Sequence, residues 1–333
     1  MTTDFTELVD LASERLGGAA IAANDEFFAP RENLVKVSRP IWREGEYTER
    51  GKWMDGWETR RRREPGHDWC VVRLGLPGKI AGVIVDTTHF SGNHPESCSL
   101  EAASDEGRSD RGPFSPDAMT WKEILPATPL QGNTENRWPI GGLDRVTHVR
   151  LNIFPDGGVA RLRVYGWVLP DWKRLAGAET DVDLAAIENG GMVVAASDMF
   201  FGSRHNLILP GPARGMSDGW ETRRRRGPGN DWAIVRLGAA GRIRRVQVDT
   251  THFKGNAPGA CSIEVAHAPG TIAPVPQGLQ WAELLPRTKL EANALHRFER
   301  ELADAGVATH ARLNIFPDGG VARLRLFGKL SPA

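Results

Sequence analysis

The sequence predicts an all-β protein of two tandem jelly-roll β-sandwich domains, and two observations carry that expectation. The first is repetition. Gly56-Trp57-Glu58-Thr59-Arg60-Arg61-Arg62-Arg63 recurs unchanged as Gly219 to Arg226, an offset of 163 (219 − 56), and Asp86-Thr87-Thr88-His89-Phe90 recurs as Asp249 to Phe253 at the same offset. The run RLNIFPDGGVARLR stands at 150–163 and again at 312–325. The second is local pattern. Each copy is written in short β-rich runs bounded by glycine and proline, several alternating apolar and polar as antiparallel strands with one wet face do. Copies of roughly 160 residues are too long for solenoid units and long enough to bury a core of their own.

In chain order, a short helix is expected to open the first copy, capped by Asp4 with Glu7 three residues on and ended by Gly17-Gly18. Phe27-Phe28 and Phe200-Phe201 read as core, flanked by Asp25, Asn33, Asp198 and Asn206. Upstream of the arginine motif the offset becomes 173 (182 − 9, from Val182 and Val9), so the first copy holds ten extra residues around Trp42 to Trp53. Strands are expected at Trp69–Leu74, Ile80–Val85, Val146–Ile153 and Val159–Val164. Their partners are Trp232–Leu237, Ile243–Val248, Ala311–Phe316 and Val321–Phe327. Pro155-Asp156-Gly157-Gly158 and its repeat Pro317 to Gly320 read as hairpin turns. The domains are expected over 1–170 and 180–333, with 171–179 as the linker.

Composition narrows the function. Lysine plus arginine balance aspartate plus glutamate, 42 against 42, which lacks the electrostatic footprint of a nucleic-acid binder. Cys70, Cys98 and Cys261 are odd in number and have no CxxC spacing, which argues against a disulfide framework or structural zinc. Met1 to Arg15 carries acids and no continuous apolar run, so no signal peptide is expected. No stretch approaches the ~20 apolar residues of a membrane helix. These features point to a reducing, cytoplasmic setting without membrane or nucleic-acid partners. The GxSxG, HExxH, P-loop and GxGxxG motifs are absent, against the commoner hydrolase, metalloprotease and nucleotide-binding classes.

The chemistry-bearing candidates come in pairs. In an extended segment the arginines of the tetra-arginine run alternate sides, so some can face a pocket while others pair with Glu58, Asp68 or solvent. Guanidinium grips a carboxylate through two parallel hydrogen bonds, which suits an anion pocket. Asp86 and Asp249 end buried-looking strands just before His89 and His252. These histidines can serve as general acid or base beside the carboxylate, or the aspartate can cap a turn and the histidine be structural. His67 precedes Asp68-Trp69, whereas Asn230 precedes Asp231-Trp232, the clearest asymmetry between the copies. Asn152 and Asn314 add hydrogen-bonding groups.

Together these motifs resemble the allantoicase family. The resemblance rests on Asp25-Glu26-Phe27-Phe28-Ala29, Gly51-Lys52-Trp53-Met54-Asp55-Gly56-Trp57-Glu58-Thr59-Arg60-Arg61, His67-Asp68-Trp69, Asp86 to Asn93 and their second-copy equivalents through Asn256, and it covers nearly the whole chain. It implies jelly rolls of the galactose-binding-like type, hydrolysis of allantoate to ureidoglycolate and urea in allantoin (purine) catabolism, and a homo-oligomer. It requires no cofactor and leaves room for a divalent metal, without assigning ligands. Allantoate carries one carboxylate and two ureido groups on one carbon. Arg60, Arg61, Arg223 and Arg224 would hold the carboxylate. Asp68, Asp231, Asn93, Asn256 and His67 would hold the rest of the substrate. His89, His252, Asp86, Asp249, Glu58 and Glu221 would supply acceptors and proton transfer. A non-catalytic pair of carbohydrate- or ligand-binding jelly rolls is the alternative, and a purely structural tandem would leave these polar residues dispersed.

Overall fold

The computed structural model describes residues 4–105, 114–141, 145–177, 180–270, 275 and 278–331. The chain divides into two compact units, 2–169 and 170–333. Residues 178 and 179 of the expected linker, and the chain ends 1–3 and 332–333, lie outside the described residues.

Both units are antiparallel sandwiches of the same plan. Each is organised by one long strand, Asp68–Asp86 in the first and Asp231–Asp249 in the second. The sequence reads each as two strands. In the structure they are continuous, and the two halves serve different sheets. Residues 68–73 pair with Ala19–Ala23 on one side and Val146–Phe154 on the other, followed outward by Ser97–Ala103 and Lys122–Pro129. Residues 78–86 pair with Arg161–Val168 and Glu135–Pro139, and Val9–Asp10 adds to the outer side of Arg161–Val168. Cys70, Val72 and Leu74 then join Val83, Val85, Leu100, Leu151, Ile153, Leu162 and Val164 in one buried cluster between the sheets. The period of two that predicts strands is also what turns these side chains to one face. Burying each large aliphatic contributes on the order of 1.5–3 kcal/mol.

Two local expectations are corrected. The opening helix is instead two 3-10 turns, Phe5–Glu7 and Glu14–Leu16, separated by the short strand Val9–Asp10. Asp4 and Ser13 cap them, and Gly17 ends the second at a φ of 91°. The Asp10 carboxylate accepts from Val164 N, and strand pairing with Tyr165 and Gly166 outcompetes a helix here. Second, Pro155–Gly158 closes no hairpin, because the strands on either side of it pair with different halves of the long strand. It carries the chain between sheets, with Gly158–Val159 pausing to pair with Trp57–Glu58.

The register sets the site. Ile153 lies opposite Asp68 and Arg161 opposite Asp86, so the loops 24–30, 56–67, 87–96 and 155–160 gather at one end of the sandwich. Every candidate of the first copy lies in these loops or at the strand ends beneath them. Gly56 enters this packing tightly. A β-carbon there would sit 2.6 Å from the Phe90 ring and 2.7 Å from the Val159 carbonyl oxygen, and Gly219 meets the Phe253 ring at 2.7 Å in the same way. Gly56→Ala is therefore expected to destabilise the protein by about 1–3 kcal/mol, read from a denaturant titration. An unchanged midpoint would show that the loop yields freely.

Candidate functional site

The arginine motif runs along this end as an extended segment. Trp57 is fully buried and donates its indole N–H to the Asp25 carbonyl at 2.8 Å, and Thr59 is buried and accepts from Gly157 N at 3.1 Å. Between and beyond them every second residue holds a polar partner. Asn93 Nδ2 donates to Glu58 Oε1 (2.7 Å), Arg60 Nε to Asp25 Oδ2 (2.7 Å) and Arg62 Nη1 to Asp68 Oδ1 (2.6 Å). The second repeat reproduces all three: Asn256 to Glu221 (2.5 Å), Arg223 to Asp198 (3.1 Å), and Arg225 to Asp231. Asp25 and Asp198 thus occupy Arg60 and Arg223. Arg61, Arg63, Arg224 and Arg226 are exposed and bond to nothing among the described residues. Of the four arginines expected to hold a carboxylate, Arg61 and Arg224 are the ones left available.

Residues 60 to 64 with Asn24, Asp25 and Asp68 line a cleft of about 400 Å³. Asp68 is 1% exposed. Its Oδ1 accepts from Asn24 Nδ2 (2.9 Å) and Arg62, while its buried Oδ2 has no partner among the described residues. Leaving a buried acceptor unpaired costs about 1–3 kcal/mol, which an arriving N–H donor would remove. Burial works against the charge on Asp25, but the N–H groups of Phe27 and Arg60 and the Arg60 guanidinium outweigh it and hold the carboxyl below its ordinary value. Glu58 goes the other way. Burial pushes its carboxyl above the ordinary value, opposed by the single N–H of Asn93.

Asp86 and His89 are close in the chain, but each bonds elsewhere. Asp86 Oδ1 accepts from the Thr88 N–H (2.8 Å) and hydroxyl (2.5 Å), the cap of a turn. His89 sits at a φ of 70°, donates its backbone N–H to Asn133 Oδ1 (2.9 Å), and turns its ring Nε2 to the Pro40 carbonyl at 3.4 Å. Asp249 and His252 repeat this, with Thr251 N at 2.8 Å, Asn293 Oδ1 at 2.9 Å and the Ala213 carbonyl at 3.0 Å. No carboxylate bonds either ring among the described residues, so the pairing expected of histidine beside carboxylate is not formed. Nor do three His, Cys, Asp or Glu side chains gather in a way that could hold a metal ion among those residues. His67 is exposed, with its ring 4.8 Å from that of Phe154, while Asn230 donates to the Asp231 carbonyl.

The sequence reading missed Arg161. It is completely buried in the first repeat and donates to the Asp55 carboxylate (2.7 Å), the Asp55 carbonyl (2.9 Å) and the Ser38 carbonyl (3.0 Å). It pins both ends of the segment that contains the ten extra residues. Arg323 pins the shorter segment of the second repeat, donating to the Gly211 carbonyl (3.1 Å) and the Asp218 carboxylate (3.1 Å). The available signal was an arginine between Ala160 and Leu162, unchanged in both copies at a strand start. The structural reading given to that block hid it.

Comparison with known proteins adds a family. The sequence profile of the allantoicase repeat matches residues 9–169 and again 182–331. The chain is 51% identical over 327 residues to a probable allantoicase of Pseudomonas aeruginosa, covering 97% of this chain and 96% of that one. It is 52% identical over 332 residues to probable allantoicase 1 of Burkholderia mallei, covering 98% and 96%. Among solved structures, the crystal structure of allantoicase from Saccharomyces cerevisiae superposes with a TM-score of 0.81 at 36% identity, covering 97% of this chain and 93% of that one.

Proposed function

The chain belongs to the allantoicase family, and on that premise we propose that it hydrolyses allantoate to ureidoglycolate and urea at the loop end of a jelly roll. The observation that carries the reading is the half-buried Glu58 carboxyl, raised by burial and bonded to Asn93, at the same loop end as the cleft that exposed, unpaired Arg61 lines with Asp68. The reaction breaks the bond from the central carbon to one ureido nitrogen. That nitrogen needs a proton, and the carbon needs the oxygen of water. Glu58 gives its proton to the departing nitrogen, and urea leaves. As a carboxylate it then takes one proton from the incoming water, whose oxygen becomes the ureidoglycolate hydroxyl, and Glu58 is restored. Arg61 holds the substrate carboxylate. Asp68 Oδ2 accepts a ureido N–H. In this reading Asp86, Asp249, His89 and His252 shape the loops beneath the site.

Purified protein is expected to release urea from allantoate. A folded protein that releases none, and instead binds glycans, would replace this reading with the carbohydrate-binding one. Arg61→Gln is expected to raise KM about tenfold or more, the worth of a hydrogen bond to a charged group, with the melting temperature unchanged because Arg61 is exposed. An unaltered KM would remove Arg61 from the site. All three cysteines are buried free thiols, which supports work in the reducing cytoplasm. No helix among the described residues is long and apolar enough to cross a membrane. A homo-oligomer acting on a small molecule, without nucleic-acid or membrane partners, completes the proposal. Light scattering tests the assembly.

A further inference from the structure

The two repeats share their polar pairs but not their cover. In the first, the extra residues form a small hairpin, Tyr47–Thr48 against Gly51–Lys52. It reaches two loops. On one side Arg50 donates to the Phe27 carbonyl at 3.1 Å with its guanidinium 5.3 Å from the Phe27 ring, and a β-carbon on Gly51 would meet the Phe28 ring at 3.5 Å. Arg60 meets that same ring at 5.2 Å. On the other side the Lys52 ammonium lies 3.8 Å from the Trp42 ring, which stands 5.8 Å from the ring of His89. The first loop is bonded to the Glu58 backbone through Phe28 N (3.1 Å), and the second carries Asn93. The hairpin therefore contacts directly the first of the two loops that hold the Glu58–Asn93 pair, and reaches the second through Trp42.

The second repeat has the pair but no such hairpin. A single 3-10 turn, Met216–Asp218, stands in the corresponding stretch. Phe200 and Phe201, counterparts of Phe27 and Phe28, are 63% and 62% exposed, against 37% for Phe27. Both rings were expected in the core. They are instead the surface that the hairpin covers in one repeat and leaves bare in the other. A group that exchanges protons works best where water is excluded and its charged form disfavoured.

We propose that the first repeat alone carries turnover, and that the hairpin, through Trp42 and Arg50, is the positioning element that closes its site over Glu58. This inference rests on the allantoate-hydrolysing reading above and names which repeat performs it. Without the cover, Glu58 meets water, its carboxyl returns toward the ordinary value, and the protonated form needed at the departing nitrogen is lost at lower pH.

The test replaces Glu44 to Gly51 by a short Gly-Ser link in the full chain and follows urea release from allantoate across pH. The expected result is a fall in kcat of about tenfold or more, KM changed by less than threefold, and the alkaline limb of the profile moved to lower pH. A merely structural hairpin would leave that limb in place. Should the trimmed chain fail to fold, Trp42→Ala and Arg50→Ala, both at the surface, are expected to move the limb in the same direction. Glu221→Gln is expected to cost far less than Glu58→Gln. Equal losses at Glu58 and Glu221, or a limb unmoved in every hairpin variant, would overturn the inference while leaving the hydrolase reading intact. Wild-type protein that releases no urea would instead overturn the hydrolase reading itself.

Discussion

Glu58→Gln should lower kcat for urea release by roughly 10²–10⁴-fold, the usual worth of one positioned proton-transfer group. Glutamine keeps the size and can still accept from Asn93 Nδ2, so the loop should stand and the melting temperature should hardly move. The pH dependence gives an independent check. Burial raises the Glu58 carboxyl, and the protonated form starts the reaction, so kcat/KM falls as pH rises through that raised value. Asn93 Nδ2 donates to the carboxylate and favours its charge. Asn93→Ala removes that donor and should raise the carboxyl further, moving the falling limb to higher pH. A limb that stays put in Asn93→Ala, or a Glu58→Gln variant with half the wild-type rate, would show that another group moves the proton.

Arg161→Ala should be the most destabilising of the polar substitutions, at about 3–5 kcal/mol, because it strands a buried carboxylate. Arg161 has no exposed surface and Asp55 little, and their 2.7 Å contact joins the start of one strand to the segment that bears the hairpin. Lys36 lies 3.6 Å from Asp55 Oδ1 and offsets part of the loss. For Asp55, burial opposes the charge, but the Arg161 hydrogen bond and the other donors outweigh it and hold the carboxyl below its ordinary value. A lowered carboxyl contributes stability that is full above the unfolded value near 3.8 and is lost as pH falls through the folded value. The variant should lose that acid dependence along with its stability. Replacing both partners, Asp55→Ala with Arg161→Met, should cost less than Arg161→Ala alone, since no charge is left buried. If the double replacement is the worse of the two, the pair acts through packing and not through charge.

Much of this was legible in the sequence. Alternation in Val159 to Val164 and the repeated blocks give the sandwich and its duplication, since side-chain direction in a strand follows from position alone. The alternation of the arginine run was legible for the same reason, and Asp68 was legible as one partner open to it, but not that Arg62 is the arginine that takes it. Partners far apart in the chain were not. Asn93 stands 35 positions from Glu58 and Arg161 stands 106 from Asp55, and no local pattern encodes such contacts. The Pro155 to Gly158 turn misled because turn chemistry fixes a reversal of direction but not which strands pair across it. Phe200 and Phe201 misled because hydrophobicity favours burial only where something exists to cover the ring. The ten missing residues of the second repeat were the clue that nothing does.

The central claim is that water adds at the central carbon of allantoate as a ureido group departs whole. Turnover in water enriched with ¹⁸O, followed by mass spectrometry of the products, tests it most directly. The prediction is label in the hydroxyl of ureidoglycolate and none in urea. Label appearing instead in released carbonate, with ammonia in place of urea, would mean that a ureido carbonyl is attacked, and would contradict the account.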